Sequence, residues 1–289
     1  MLPSTSTLIF GLLAKATRTA TVPTDPEPVN EGFCDTEEPP EELLATHQDP
    51  SIQDPSIQDP SIQDPSIQDP SIQDAVTARA LDQSESREPL KVDLYVHVVA
   101  RSRKSKAYLD RGSVQKQVEI LNDAYASADI SFTMRDVDWT LNSEWAEKLS
   151  VDDEGPMKEQ LRQGDKDALN IYTLESLLSS RGTNGAGRCR FPSKLDDTNG
   201  LALDGCLVRA NTLPGGARKG PKYGNVAIHE VGHWFGLRHT FRHGAKAVKT
   251  CSESRLARNY MHNSPWQCRR EFTEKQIARM HDMWHRFRA

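Results

Sequence analysis

Apolar residues are unevenly spaced along the 289-residue chain. From Leu90 onward they recur with period; before it they do not. Val92, Leu94, Val96 and Val98 alternate, which predicts a half-buried strand. Val114, Val118, Leu121 and Tyr125 fall at helical spacing behind Ser113, which predicts a helix with Ser113 as its N-cap. Ile130, Phe132 and Met134 alternate again as a second strand. Met157 to Gln163 reads as a short helix stopped at Gly164, and Ala168 to Leu174 as a third strand. Residues 180–205 read as loop, with three glycines between Arg181 and Arg188. Cys206-Leu207-Val208 predicts a short strand. Asn225 is expected to cap a helix from Val226 to Leu237. Thr273-Glu274-Lys275-Gln276 is a capping box. Behind it, Ile277, Met280, Trp284 and Phe287 form the apolar stripe of a last helix. Strands followed by helices predict an α+β fold.

The first ninety residues lack this patterning. Leu8 to Ala14 is a short apolar patch, and Ala14-Lys15-Ala16 suits cleavage of a signal peptide spanning 1–16. Residues 17–89 are rich in Pro, Asp, Glu, Ser and Gln, a composition that cannot bury enough apolar surface to order itself. Within them Ser51-Ile52-Gln53-Asp54-Pro55 repeats from 56, 61 and 66, and a last copy ends in Ala75. Proline every fifth residue forbids a regular helix and disfavours a sheet, so the repeat is expected to be a spacer. The remaining residues, 90–289, form the expected folded domain. No stretch approaches the roughly 18 apolar residues of a membrane-spanning helix.

Charge divides at the same boundary. Residues 1–87 hold four Lys or Arg against sixteen Asp or Glu, and the remainder holds 32 against 25. An acidic front on a mildly basic body points to mutual attraction or simple solubility, and away from a nucleic-acid or membrane partner. The five cysteines, Cys34, Cys189, Cys206, Cys251 and Cys268, form no CxxC pair, which argues against a cysteine zinc ribbon. In an oxidising compartment four can pair and one is left over.

The chemistry lies in His229-Glu230-Val231-Gly232-His233-Trp234-Phe235-Gly236-Leu237-Arg238-His239. On a helix His229 and His233 project from one face and suit two legs of a tetrahedral zinc site. Gly236 can turn left-handed and end the helix, so that His239 supplies a third ligand. Glu230 then stands beside the open position as general base for a zinc-bound water, whose pKa the metal lowers to about 7. HExxH alone is a weak signal; HExxHxxGxxH is a strong one, because its glycine has a geometric task, and it matches the metzincin motif. Of the other histidines, His47 falls in the unpatterned front, His97 is expected to point out of its strand, and His243, His281 and His285 are expected at the surface.

This motif and its surroundings resemble the pappalysin family of metzincins, and in particular its small secreted fungal metalloproteases. The likeness rests on Thr240-Phe241 after the zinc motif and on Gln115 to Trp145, similar to the family's first helix and next strand. Asp204 to Val208 through Pro214-Gly215-Gly216 looks like its edge strand and the loop beyond. Asn259-Tyr260-Met261 and Glu271 to Met280 resemble its Met-turn and last helix. The resemblance covers roughly 90–288. It implies a twisted N-terminal sheet, a smaller C-terminal subdomain and a cleft between, one Zn2+ per chain, Met261 beneath the metal, and a peptide or protein as substrate. Phe33-Cys34-Asp35-Thr36 is similar to the family's pro-segment motif Cys-Gly-Thr, which implies that Cys34 is a latency switch and the pro-segment an inhibitor. Arg79 and Arg87 are the candidate cut sites. The resemblance also suggests a Cys251–Cys268 bridge, with Cys189 and Cys206 left to pair.

Two departures bear on function. Residues 242–258 are short and basic, with Arg242, Lys246, Lys249, Arg255 and Arg258 against Glu253 alone, so no calcium is expected there. After Met261 the chain reads His262-Asn263 where the family has Asp-Tyr. Asn263 thus takes the place of the oxyanion-stabilising Tyr, with His262 or Tyr260 as substitutes. The expected function is a secreted zinc endopeptidase made as a zymogen. The alternatives are a degenerate zinc-binding relative that binds peptides or partners without cutting them, and a zinc hydrolase acting on a small substrate.

Overall fold

The computed structural model describes residues 32–34, 36, 87–150, 153–178, 185–195, 198–216, 224–241 and 248–289. The expected signal peptide, the five-residue repeats, Arg79, His47 and His243 lie outside them. One mixed sheet of six strands organises the rest, in the order β1-β5-β6-β4-β2-β3. The strands are β1 Gly32–Cys34, β2 Leu90–Ala100, β3 Ile130–Leu141, β4 Leu169–Leu174, β5 Gly185–Cys189 and β6 Cys206–Arg209. β3, β2, β4 and β6 run parallel. β5 runs antiparallel to β6, and β1 parallel to β5.

β2 is half-buried only over its first half. Lys91 is exposed there, while every residue from Val96 to Ala100 is buried. The second half is flanked by β4 as well as β3 and covered on both faces. His97 is therefore fully buried rather than outward-pointing. Its Nδ1 meets Asp138 Oδ2 at 2.6 Å and its Nε2 meets Asn170 Oδ1 at 3.0 Å. Side chains of adjacent strand residues point to opposite faces, and the core divides accordingly. Val98, Ile171 and Val208 join the larger cluster, which holds Tyr125, Trp234, Phe235 and Trp284. Val99, Tyr172 and Leu207 join a smaller one with Ala146, Leu149 and Met157.

The helices are α1 Arg111–Tyr125, α2 Ser143–Lys148, α3 Glu154–Leu161, α4 Thr198–Leu203, α5 Asn225–Trp234 and α6 Glu274–Phe287. The α1 cap is Asp110, whose side chain accepts from Ser113 N. A carboxylate accepts more strongly than a hydroxyl at a positive helix end, so the helix begins before Ser113. α5 begins after Gly224, with no side-chain cap. Asn225 Nδ2 instead donates to Trp266 O at 2.7 Å. α5 stops at Trp234, three residues short of the Leu237 expected, because Gly236 adopts φ +88°. Thr273 and Gln276 complete both halves of the α6 capping box. His281 is buried, with Nε2 on Ala128 O at 2.7 Å, because α6 turns that face inward. The interval 180–205, expected as loop, contains β5 and α4. Disulfides join Cys189 to Cys206, across β5 and β6, and Cys251 to Cys268.

Candidate metal centre

α5 is buried from Val226 to Trp234 and packs against β5 and β6. Its burial fixes which face the histidines present. His229 Nδ1 lies 2.8 Å from Tyr260 O, and His233 Nδ1 lies 2.7 Å from Leu237 O. A carbonyl only accepts, so each Nδ1 carries the proton and each Nε2 keeps its lone pair. The three Nε2 atoms converge. His229 to His233 is 3.2 Å, and His239 lies 3.1 Å from each. Zinc–nitrogen legs of about 2.0–2.1 Å in a tetrahedron require nitrogens roughly 3.3 Å apart, so the cage fits that metal. Burial lowers the His229 and His233 pKa values, the latter to about 4, which keeps both imidazoles neutral and ready to ligate.

The turn at Gly236 swings His239 in from outside the helix. Phe241 stacks on its ring at 4.5 Å, and Phe191 meets His233 edge-on at 5.3 Å. Met261 is fully buried, with its thioether against Gly232 of α5. Tyr260 holds His229 through its carbonyl rather than its phenol. Asn263 is buried in the same turn.

Cys34 joins the cage. Its sulfur and the ligand nitrogens of His229, His233 and His239 all lie within 4.8 Å of one another. The sulfur is 3.3 Å from His233 Nε2 and donates to Glu230 Oε2 at 3.3 Å. Burial and the Glu230 charge push this thiol well above its ordinary pKa. Thr36 does more than its position predicted. Its hydroxyl donates to the same Glu230 oxygen at 2.9 Å and accepts from Cys189 N at 3.0 Å.

Three positions that brace the site were missed from sequence. Gly187, on the strand read as loop, lies where a Cβ would meet Glu230 Cγ at 2.6 Å and Oε1 at 2.9 Å. Arg188 next to it fastens β5 through buried Glu154 at 3.3 Å. Arg288, at the chain's end, clamps Asp204 with two bonds of 3.0 Å and donates to Trp234 O at 3.3 Å, beside His233. The short strand and the arginine partners left no periodic trace; GAGRC offered only a glycine spacing.

Residues 112–240 match the reprolysin-like metallopeptidase family M12B. An extracellular metalloprotease of Pyricularia oryzae is 37% identical over 225 residues, covering 69% of this chain and 77% of that relative. The chain belongs to this family of extracellular metalloproteases. An extracellular metalloprotease of Neurospora crassa is 36% identical over 226 residues, 69% of this chain and 76% of its own. The metalloprotease also shares its fold with mature mirolysin of Tannerella forsythia in complex with a cleaved peptide. There the TM-score is 0.50 at 20% identity, over 69% of this chain and 93% of that one. It is thus a zinc-dependent endopeptidase of metzincin type, with a cage suited to one zinc ion. No helix among the described residues is long and apolar enough to cross a membrane.

Proposed function

We propose that the metalloprotease is secreted in latent form, with His229, His233 and His239 as zinc ligands, Glu230 as general base and its own front segment as inhibitor. The observation that carries this reading is the shared cluster of three imidazole nitrogens and the Cys34 sulfur, beside a carboxylate held by Thr36. Within the metzincins we place it with the pappalysins, on its Cys34-Asp35-Thr36 stretch and the buried Met261 beneath α5. Secretion accords with two disulfides, which persist in oxidising compartments, and with relatives named extracellular.

When bound, zinc supplies Lewis acidity, polarising the scissile carbonyl and bringing the pKa of water to about 7. Glu230 accepts the proton of the attacking water and later returns it to the leaving amine. β1, part of the front segment, pairs with β5; once the front is removed, β5 offers that side to an extended peptide, as exposed sheet edges do. Asn263 is the oxyanion donor in this reading, a contribution of about 2.7–4 kcal/mol where the geometry is good. Latency has two parts. Cys34, within 4.8 Å of the three imidazole nitrogens, would hold the metal with them in place of water. Thr36 holds the Glu230 oxygen and also occupies the Cys189 N–H that a bound peptide would use.

The full chain, incubated with denatured casein before and after limited proteolysis, tests this. Wild type is expected to bind one zinc and to cut only after proteolysis, Glu230→Ala to bind zinc and never cut, and Cys34→Ser to cut without proteolysis. A zinc-loaded wild type inactive after its front is removed would overturn the reading.

A further inference from the structure

Beyond Met261 lies a segment of which the reaction described so far uses only Asn263. It runs from His262 to Arg269 and is tied to the start of α5 by the bond from Asn225 to Trp266 O. Arg269 is 4% exposed. Its guanidinium lies over the Trp266 indole at 3.9 Å, and Nε and Nη2 both donate to Ser264 O, at 3.0 and 2.6 Å. Stacking on one side and two bonds to one carbonyl hold the guanidinium plane fixed. Its charge is felt at Glu230, at the Cys34 sulfur that stands in the cleft, and at His229 and His262.

His262 supplies an independent observation. Its side chain is 6% exposed, and among the described residues its Nδ1 is buried without a hydrogen-bond partner. Its ring meets Phe241 edge-on at 6.1 Å, and Phe241 lies on the ligand-side ring of His239. A buried polar nitrogen left unsatisfied is costly, and such atoms in native proteins call for a reason. A fixed guanidinium whose charge reaches Glu230 and an imidazole nitrogen without a hydrogen-bond partner, on one segment, suit a carboxylate, which accepts from the guanidinium and, in the Nδ1–H tautomer, from the imidazole.

We propose that Arg269 and His262 are specificity-determining residues that receive a carboxylate, so that this protease favours peptides with an Asp or Glu side chain flanking the scissile bond. The proposal rests on the endopeptidase reading and names its substrate class.

The activated, zinc-loaded full-length protein is assayed on matched peptides differing only in Glu, Gln, Leu or Lys beside the scissile bond. Wild type is expected to prefer Glu over Leu by about tenfold to hundredfold in kcat/KM, the range of a charge-assisted hydrogen bond. Arg269→Gln abolishes that ratio, chiefly through KM, and leaves the Leu peptide within about threefold. Arg269→Lys restores part of it, and His262→Ala lowers it by a smaller factor. A wild type that cuts all four peptides without favouring Glu overturns the proposal alone. So does an Arg269→Gln variant that loses the Glu and Leu peptides equally, since that marks Arg269 as a staple of the loop. If Arg269→Gln fails to fold by circular dichroism, the wild-type ratio and His262→Ala decide. A wild type that binds zinc and cuts nothing overturns the endopeptidase reading, and this proposal with it.

Discussion

Gly187→Ala probes whether β5 and the proposed general base Glu230 are as tightly fitted as the geometry says. The added Cβ would meet Glu230 Cγ at 2.6 Å, Oε1 at 2.9 Å and Cδ at 3.0 Å. Glu230 is 1% exposed and Gly187 is buried, so neither has open space to enter. Regaining ordinary van der Waals contact requires a separation of roughly 1 Å. β5 cannot supply it freely, because Arg188 and the Cys189–Cys206 bridge anchor the next two residues. Glu230 must therefore move. A displacement near 1 Å of a reacting group lowers rates by about 100-fold, and overpacking costs about 1–3 kcal/mol in stability. The histidine nitrogens are untouched, so zinc content should stay at one per chain. The assay compares kcat/KM on a fluorogenic peptide, bound zinc and Tm for activated wild type and variant. Full activity in Gly187→Ala, or loss of zinc from it, would refute the reasoning.

Other outcomes follow from the same contacts. Asp204→Asn removes the partner of buried Arg288 and should destabilise by about 3–5 kcal/mol in chemical denaturation. Burial raises the Asp204 carboxyl pKa, but Arg288, Trp234 and Arg162 outweigh it and hold it below its ordinary value. Its stabilisation is therefore complete above about pH 4 and is lost as pH falls through the lower folded value. A pH titration of Tm should show that acid loss in wild type and not in the variant. Replacing both Cys251 and Cys268 by Ser opens a loop of sequence separation 17 and should cost about 3 kcal/mol in urea melts. Thr36→Val keeps the Cys34 thiol and its bond to Glu230 but removes the Thr36 bonds to Glu230 and Cys189 N. Before proteolysis it should cut casein measurably, more than wild type and less than Cys34→Ser, read as initial rates. Chelation with EDTA should abolish cleavage and lower Tm, since zinc binds only the folded cage.

Much of the metal centre is local, and local features are what a sequence states outright. His229 and His233 share a face because helical geometry puts i and i+4 together. Gly236 marks the turn because only a residue without a Cβ adopts φ +88° at little cost. The α6 capping box and the strands β2 and β4 are likewise written in spacing. What spacing cannot state is which distant segment covers a given face. His97 was expected outside because it alternates with Val96 and Val98, and His281 as a solvated residue of the last helix. They are buried because β4 and the α1–β3 turn pack against them. β5 is five residues long and carries two glycines, too short and too small to show a period. It exists because β6 offers it a hydrogen-bonding partner and α5 a surface. Thr36 gives the same lesson at the site: its hydroxyl meets Glu230 across 194 positions of chain. The sequence by itself determined the chemistry and the helix that bears it. Only the tertiary structure decided what stands opposite that helix, because contacts between distant segments depend on how whole faces pack and not on the residues beside them.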